Sequence, residues 1–180
     1  MAKENKTKKQ AVPNVTIEGA RILFRNFRGE ASTYNAKGRR NFCVILDPDL
    51  AFKLSGDGWN VKTLKPRDEE DEPQSYMQVK VVYGSRPPKI VILSGNSRTE
   101  IDEETVGMLD WAEIENVDLT IRPYEYDVNG RAGISAYLKS MYITLVDDYL
   151  EQKYSDCEHH VCNHDCANCK ESHELPIEDD

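Results

Sequence analysis

Residues 117–146 read VDLTIRPYEYDVNGRAGISAYLKSMYITLV, and this stretch decides the fold class. The dipeptide Asn129-Gly130 lies near its centre, between two runs rich in β-branched and aromatic residues. Asn-Gly between such runs is a strong signal for a two-residue hairpin turn, because both residues tolerate positive φ. The stretch therefore predicts a long β-hairpin with strands over 117–128 and 132–146.

Shorter runs with strand-like alternation precede this hairpin. The predicted strands are Val15–Phe24 with a slip near Gly19, Asn41–Leu46, Tyr76–Tyr83 and Ile90–Leu93. We expect one helical turn over Asp49–Leu54 and a helix that begins at Asp102, which can cap it. The chain is thus predicted to be mainly β. Five principal strands, with one short helix between the third and fourth, match an OB-fold, a five-stranded Greek-key barrel. An SH3-like barrel and a β-sandwich also fit, because the sequence does not give the strand order.

The net negative charge of the chain comes from its last 34 residues. Residues 147–180 carry 11 acidic residues against two lysines, which equals the net charge of −9 of the whole chain. We expect residues 1–13 to form a disordered, flexible basic arm, residues 14–148 the folded domain, and residues 149–180 a flexible acidic tail rich in Cys and His. Five adjacent acids at 68–72 predict a solvated loop. No apolar run approaches the ~18 residues of a membrane helix, and without an export signal we expect the protein in the cytoplasm.

The segment 21–42 combines basic, aromatic and amide side chains, with Glu30 as its one acid. Guanidinium and ammonium groups neutralise phosphates, and exposed rings stack on unpaired bases. This mixture favours a single-stranded nucleic acid over a duplex. The predicted phosphate contacts are Arg25, Arg28, Lys37, Arg39 and Arg40, and the predicted stacking residues are Phe27 and Tyr34. The alternative is an ordinary charged hairpin with inward-facing rings, which is our expectation for Phe24 and Phe42.

A second cluster lies on the long hairpin. It comprises residues 122–126 on the first strand and Arg131, Tyr137, Lys139 and Tyr142 on the second. Strand alternation places Arg122, Tyr124 and Tyr126 on one face, so all three are predicted to contact nucleic acid. Packing at the edge of the sheet is the alternative. Trp59 and Trp111 stand beside apolar residues and are expected in the core or at its rim.

An ordered series of motifs over residues 15–146 resembles single-stranded DNA-binding proteins encoded by tailed phages of Gram-positive bacteria. The motifs that carry the resemblance are Phe24-Arg25-Asn26-Phe27, Tyr34-Asn35, Gly38-Arg39-Arg40-Asn41-Phe42, Asp57-Gly58-Trp59-Asn60-Val61-Lys62, Arg86-Pro87-Pro88, Leu109-Asp110-Trp111, Val117-Asp118-Leu119, Ile121-Arg122-Pro123 and Ala136-Tyr137-Leu138-Lys139. The resemblance implies an OB-fold that coats single-stranded DNA during phage replication or recombination in a bacterial host cell, without catalysis. The contact residues named above rest on residue chemistry.

The tail contains the spacing Cys157-x4-Cys162-x3-Cys166-x2-Cys169 and all four histidines of the chain. Four thiolates, or three with an imidazole from His159, His160 or His164, can form a closed tetrahedral zinc site. We therefore predict one structural zinc ion in a knuckle over 157–169. The alternative is a Cys/His-rich tail that binds metal only incidentally. The remaining cysteine, Cys43, lies in an apolar run and is expected to be a buried hydrophobe.

The acidic end at 174–180 is expected to dock on replication or recombination proteins. The alternatives are that it folds back over the DNA site of the protein itself or that it solubilises the chain. No nucleotide-binding loop or nucleophile motif is present, and residues 1–146 contain no histidine, the commonest general base. Two other functions fit less well: an acidic adaptor or DNA mimic that binds a host protein through its tail, and a metal-dependent nuclease. We expect no membrane partner, and self-association is left open.

Overall fold

The computed structural model describes residues 11–66, 72–95 and 97–146, and these residues form a mainly β structure. Within them, the strands are β1 (Val15–Ile17), β2 (Ile22–Asn26), β3 (Arg40–Leu46), β4 (Val61–Leu64), β5 (Gln74–Val81), β6 (Lys89–Ser94), β7 (Ser97–Ile101), β8 (Ile114–Val128) and β9 (Arg131–Leu145). One α-helix, α1 (Pro48–Gly56), follows β3, and a 3-10 helix (Val106–Asp110) precedes β8. No helix among the described residues is long and apolar enough to span a membrane.

The strands join in the order β1-β8-β9-β5-β3-β2. β4 also pairs with β5, β6 pairs with β9, and β7 pairs with β6. The pairs β5–β9 and β6–β9 are parallel and the other pairs are antiparallel. The two ends of the main path, β1 and β2, are consecutive along the chain. In the segment between them, Ala20 N donates to Val117 O on β8 (2.7 Å), and Arg21 O accepts from Ile45 N on β3 (2.9 Å). The segment therefore bonds to the strand next to each end of the path.

The long hairpin predicted from Asn129-Gly130 is confirmed. Asn129 and Gly130 have φ of 54° and 76°, as a type I′ turn requires. The pairing runs from Val128↔Arg131 at the turn to Ile114↔Leu145 at the far end, with irregularities near Asn116 and Ile121. The register set by the local turn signal thus holds from the turn to Ile121↔Leu138, where the first irregularity occurs.

The core lies on the inward face of the sheet. Phe42 and Val44 on β3, Val79 on β5 and Ala136 on β9 are each at most 1% exposed. Burial of Phe42 was predicted and is confirmed, and replacing it with Ala would cost about 3–5 kcal/mol. Trp59 is 4% exposed and belongs to the same core.

The strand count and the helices differ from the sequence prediction. The predicted first strand is two strands, because the chain breaks at Gly19 (φ 60°), and the described residues form nine strands rather than five. β7 was not predicted, since its first four residues are exposed and give no alternating pattern. The α-helix is the segment after β3, expected as a single turn, where Pro48 suits the first turn.

The helix expected from Asp102 is only a five-residue 3-10 helix. Asp102 does cap the turn before it, because its Oδ1 accepts hydrogen bonds from the backbone N–H groups of Glu104 and Thr105 and from the Thr105 hydroxyl. The bonds from Thr105 are the main reason that the pKa of Asp102 is lowered. Outside the described residues lie positions 1–10 of the predicted arm, positions 68–71 of the acidic loop, and the tail from 147.

Candidate nucleic-acid interface

Five polar residues form a row across five neighbouring strands, on the face opposite the core. The register pairs Asn26 with Asn41, Asn41 with Lys80, Lys80 with Tyr137, and Tyr137 with Arg122. The next residues along β3 and β5, Phe42 and Val79, are fully buried, so the alternation of the strands points the row outward. The row therefore joins the two regions that the sequence singled out, segment 21–42 and the long hairpin.

Tyr137 is the centre of the hairpin part of this row. Lys80 Nζ lies 5.5 Å and the Arg122 guanidinium carbon 5.9 Å from the centre of its ring. The ring of Tyr124, 56% exposed, is tilted against it with 5.1 Å between centres. Cations beside the ring face are attracted by its quadrupole. The predicted contacts Arg122 and Tyr124 thus lie together on the outward face. Tyr137, which belongs to the same sequence cluster but was not among the predicted contacts, lies with them.

Tyr126, the third predicted contact of the hairpin, is half-buried. It pairs with Gly133 across the hairpin, and a Cβ on Gly133 would lie 2.7 Å from the Tyr126 hydroxyl oxygen. The ring therefore fills the space that a side chain at 133 would take. One part of the ring packs on its own hairpin, which leaves less of it for a base than Tyr124 offers.

The β2–β3 loop presents the most exposed ring of the described residues. Tyr34 is 94% exposed. It lies in a tight turn that is closed by two hydrogen bonds, from Ser32 N to Asn35 O (2.9 Å) and from Asn35 N to Ser32 O (3.2 Å). A ring held on a closed turn is available for stacking and loses little freedom when it binds.

Three asparagine side chains hold the loop in this shape. Asn26 bonds both to the carbonyl oxygen and to the N–H of Glu30, at 3.0 and 2.8 Å. Asn35 donates to Glu30 O and Arg39 O, and Asn41 donates to Asn35 Oδ1 at 2.8 Å. Two members of the row, Asn26 and Asn41, are thereby bonded to the loop that carries Tyr34.

Close backbone approach also fixes the base of the loop. Gly38 N donates to Gly29 O at 2.8 Å. Gly29 has φ of 69°, and a Cβ there would lie 3.1 Å from the Gly38 carbonyl carbon. Any larger residue at 29 would therefore strain the loop twice, through its φ and through this contact.

Three of the predicted phosphate contacts are exposed on or beside this loop: Arg28, Lys37 and Arg39. Arg28 Nη1 lies 3.6 Å from Glu30 Oε1, but both side chains are more than half exposed. Exposed pairs of this kind contribute about 0–1 kcal/mol, so a phosphate can compete with Glu30 for Arg28.

In this segment the prediction for Phe27 is wrong, and Arg25 is bonded within the protein, so its phosphate contact stays a prediction. Phe27 is fully buried and its ring stacks on Phe42, with 5.3 Å between centres, so it cannot stack on a base. Arg25 Nη1 donates to Leu109 O and Ala112 O, both at 2.8 Å. Its guanidinium ties β2 to the segment around the 3-10 helix.

Arg40 is also engaged within the protein. Its side chain is 21% exposed, its Nη1 donates to Glu103 Oε1 at 2.8 Å, and its guanidinium carbon lies 5.6 Å from the centre of the Tyr83 ring. Burial raises the pKa of Tyr83 to about 12, although Arg40 acts to lower it. Arg40 therefore differs from its neighbour Arg39, which is exposed.

Two exposed rings were missed by the sequence analysis. Trp111 was expected in the core or at its rim, but it is 73% exposed, and Arg28 lies over its ring. Phe24 was expected to face inward, but it is 63% exposed. No local signal marks the exposure of Trp111, because the contacts that place it beside Arg28 come from a segment far away in the chain.

Comparison with known proteins decides the family. Residues 4–174 match the family model described as "Putative phage ssDNA-binding domain". The chain belongs to this family. The match extends over most of the chain, including the β2–β3 loop and all five strands that carry the row. This match confirms the resemblance to phage single-stranded DNA-binding proteins. It does not test the prediction that the phage host is a Gram-positive bacterium.

The fold is similar to that of a solved phage protein. The single-stranded DNA-binding protein of bacteriophage Enc34, in complex with ssDNA, has a TM-score of 0.51 at 12% identity, and the match covers 75% of this chain and 88% of that one. A C-terminal truncation of the same protein gives 0.50, also at 12% identity, and covers 75% and 87%. The protein gp2.5 of bacteriophage T7 gives 0.40 at 10% identity and covers 86% and 98%. No curated protein sequence matches the chain.

Single-stranded DNA-binding families of this kind are non-catalytic. Within the described ranges, no group of three or more His, Cys, Asp or Glu residues is placed to hold a metal ion. The predicted zinc ligands Cys157, Cys162, Cys166 and Cys169, with His159, His160 and His164 as alternatives, lie outside the described residues, so the zinc site stays a prediction.

Proposed function

We propose that the protein binds and coats single-stranded DNA, largely without sequence preference, during phage DNA replication or recombination in the cytoplasm of a bacterial host. The observation that carries this proposal is the outward row Asn26, Asn41, Lys80, Tyr137 and Arg122, continuous with the loop that presents Tyr34. Membership of the phage single-stranded DNA-binding family supports it.

The chemistry of this surface explains a lack of sequence preference. Lys80 and Arg122 meet phosphates, which are the same at every nucleotide, and Tyr124 and Tyr34 offer flat rings to bases. Every base has a π-face, so stacking tolerates any sequence, and it is worth about 1–3 kcal/mol per base. A base can stack on a ring only when it is unpaired, which excludes an intact duplex from the same mode of binding.

We further propose that the sheet closes as an OB barrel, with β1 and β2 as two halves of one bent first strand. The path β2-β3-β5-β9-β8-β1 then follows the strand order of that fold, with β1 and β2 together as its first strand and a parallel contact between its third and fifth strands, here β5 and β9. The backbone bonds of Ala20 to β8 and of Arg21 to β3, the strands next to the two ends of the path, support this closure. In OB-folds the loop after the first strand is a binding loop, and here it is the β2–β3 loop.

The test is a fluorescence anisotropy titration of labelled oligodeoxythymidine and of a duplex of equal length, at about 50 and 200 mM salt. We expect tighter binding of the single strand and a log–log slope of about −0.7 for each phosphate contacted. A mixed-sequence single strand should bind within a few-fold of oligodeoxythymidine. Equal affinity for duplex and single strand, or none for either, would overturn the proposal.

The acidic adaptor is the second candidate, and the charge of residues 147–180 favours it. Removing this tail separates the two functions. A single-strand binder keeps or gains affinity for DNA when 147–180 are deleted, because repulsion between tail and phosphates is lost. An adaptor would instead lose binding to its partner protein when 147–180 are deleted, and it would not bind DNA with or without the tail. In our proposal the tail also binds proteins: it docks replication or recombination proteins on the single-stranded DNA that the folded domain coats.

A further inference from the structure

Phe24 has a backbone conformation that aromatic residues rarely adopt. Its φ is 50°, in the left-handed region that favours glycine. Among the described non-glycine residues, only Asn129 shares this feature, and Asn129 lies in a type I′ turn that requires it. Phe24 lies within strand β2, where no turn explains the conformation.

A β-bulge produces this conformation. Leu23 pairs with Cys43 and Asn26 pairs with Asn41, so Phe24 and Arg25 together oppose the single residue Phe42. A bulge re-aims side chains that regular alternation would send elsewhere. Here Arg25 reaches the carbonyl oxygens of Leu109 and Ala112, and the ring of Phe24 remains in solvent.

The strain of Phe24 is not offset by burial of its ring. The side chain is 63% exposed, whereas an aromatic ring normally contributes to stability by leaving water. Strained residues persist where the surroundings fix them, and they concentrate at binding sites. The position fits this pattern, because Phe24 lies two residues before Asn26, the β2 member of the outward row.

We propose that the exposed ring of Phe24 is a base-stacking platform that extends the DNA path along β2, beyond the row. This inference rests on the proposed single-stranded DNA function and adds a contact that the row does not contain. The ligand is an unpaired nucleobase of any identity, because an exposed ring offers only its face and edge. The opposing explanation is that the bulge serves Arg25 alone and that the ring of Phe24 is a bystander.

The two explanations differ in what a change at Phe24 does. Phe24→Asn removes the ring and keeps a residue that tolerates positive φ, so the melting temperature should stay equal or rise. Affinity for oligodeoxythymidine should fall about 5- to 100-fold, the loss expected for one stacked base. The salt slope should not change, because no charge is removed. Phe24→Trp keeps a ring and should bind within a few-fold of the wild type.

Phe52 provides the matched control. It is 84% exposed on α1, outside the row and the β2–β3 loop, so Phe52→Ala should leave affinity unchanged. Unchanged affinity in a folded Phe24→Asn variant overturns the inference about Phe24 but does not affect the proposed function. If the wild type binds no single-stranded DNA, the proposed function itself is overturned. If Phe24→Asn melts well below the wild type, Phe24→Leu decides, since loss of affinity supports the inference and unchanged affinity overturns it.

Discussion

The guanidinium carbon of Arg28 lies 5.8 Å from the centre of the Trp111 ring, although the two residues are 83 positions apart in the chain. The backbone enforces this contact, because the Asp110 carboxylate accepts hydrogen bonds from Phe27 N at 2.7 Å and from Arg28 N at 2.9 Å. Trp111 is 73% exposed beside this cation. A positive charge next to a solvent-facing ring suits a nucleotide, because the phosphate and the base find partners at the same place.

This relationship makes Trp111 an intrinsic reporter of binding. The chain has two tryptophans, and the other, Trp59, is 4% exposed in the core. We expect single-stranded DNA to quench the emission of the wild type and of Trp59→Phe, if that core variant folds. Trp111→Phe should lose the quenching. Quenching that survives in Trp111→Phe would place the DNA away from the Arg28–Trp111 contact.

In the β2–β3 loop, the cations Lys37 and Arg39 and the ring of Tyr34 should have different effects on DNA binding when they are replaced. Lys37→Ala with Arg39→Ala should flatten the log–log salt slope by about 0.7 for each residue that contacts a phosphate. Tyr34→Ala should weaken binding by about 1–3 kcal/mol and leave the slope unchanged, because only a stacking contact is lost. Anisotropy titrations at four or more salt concentrations measure both quantities.

Arg40→Ala is the matched control for these cations, since it removes the same charge from a guanidinium already bonded to Glu103. We expect a smaller change in slope than for Arg39→Ala. Equal changes would mean that Arg40 leaves Glu103 for a phosphate when DNA binds, and the assignment of the two arginines would have to be revised.

Arg25→Ala is expected to act on stability instead. Two hydrogen bonds from a charged donor are lost and two partly buried carbonyl oxygens lose a partner, at a cost of about 2–3 kcal/mol. In a chain of this size, that cost lowers the melting temperature by roughly 4–12 °C. The salt slope of the folded variant should match that of the wild type. A flatter slope with an unchanged melting temperature would support Arg25 as a phosphate contact.

The parts of the fold that the sequence predicted correctly depend only on residues close together in the chain. The Asn129-Gly130 turn needs only its two residues and the flanking alternation, and burial of Phe42 follows from its apolar run. The errors at Phe24 and Phe27 share one cause: the bulge at 24–25 shifts the alternation of β2, so that Phe24 faces solvent and Phe27 faces the core. No composition signal marks that bulge, because it depends on pairing with β3.

The features of the site that the sequence analysis missed are non-local. Arg25 resembles a phosphate contact in sequence because its partners, Leu109 O and Ala112 O, lie 84 and 87 residues away. Both are backbone atoms, which no side-chain pattern reveals. The row across five strands was likewise hidden, because Lys80 belongs to neither sequence cluster and joins them only through strand pairing.

Alkaline pH should destabilise the fold through Tyr83. Burial raises the pKa of this residue to about 12, against an ordinary value of 10, so the folded state favours the neutral phenol. The contribution of the neutral Tyr83 phenol to the free energy of unfolding is fully present below pH 10 and is lost as the pH rises through 12. It amounts to at most about 3 kcal/mol. Urea unfolding from pH 9 to 12 should show a smaller decline for Tyr83→Phe than for the wild type. Equal declines would contradict the assignment.

Zinc binding by the tail can be tested by counting reactive thiols, because the one cysteine outside the tail, Cys43, should react only slowly. Cys43 is 8% exposed and burial raises the pKa of its thiol, so it should react slowly with a disulfide reagent near pH 8. Protein prepared with zinc and without chelator should contain about one equivalent of metal and show no fast-reacting thiol if all four tail cysteines are ligands.

A chelator should then release four fast-reacting thiols, and denaturant should reveal all five. One fast-reacting thiol before chelation would indicate three thiolates and one imidazole, and His159→Ala, His160→Ala and His164→Ala would identify that ligand by lowering the metal content. Four fast-reacting thiols before chelation, with no metal by elemental analysis, would remove the zinc site. In each case, deleting 147–180 should leave single-strand affinity unchanged or raise it, because the row and the β2–β3 loop lie before the tail.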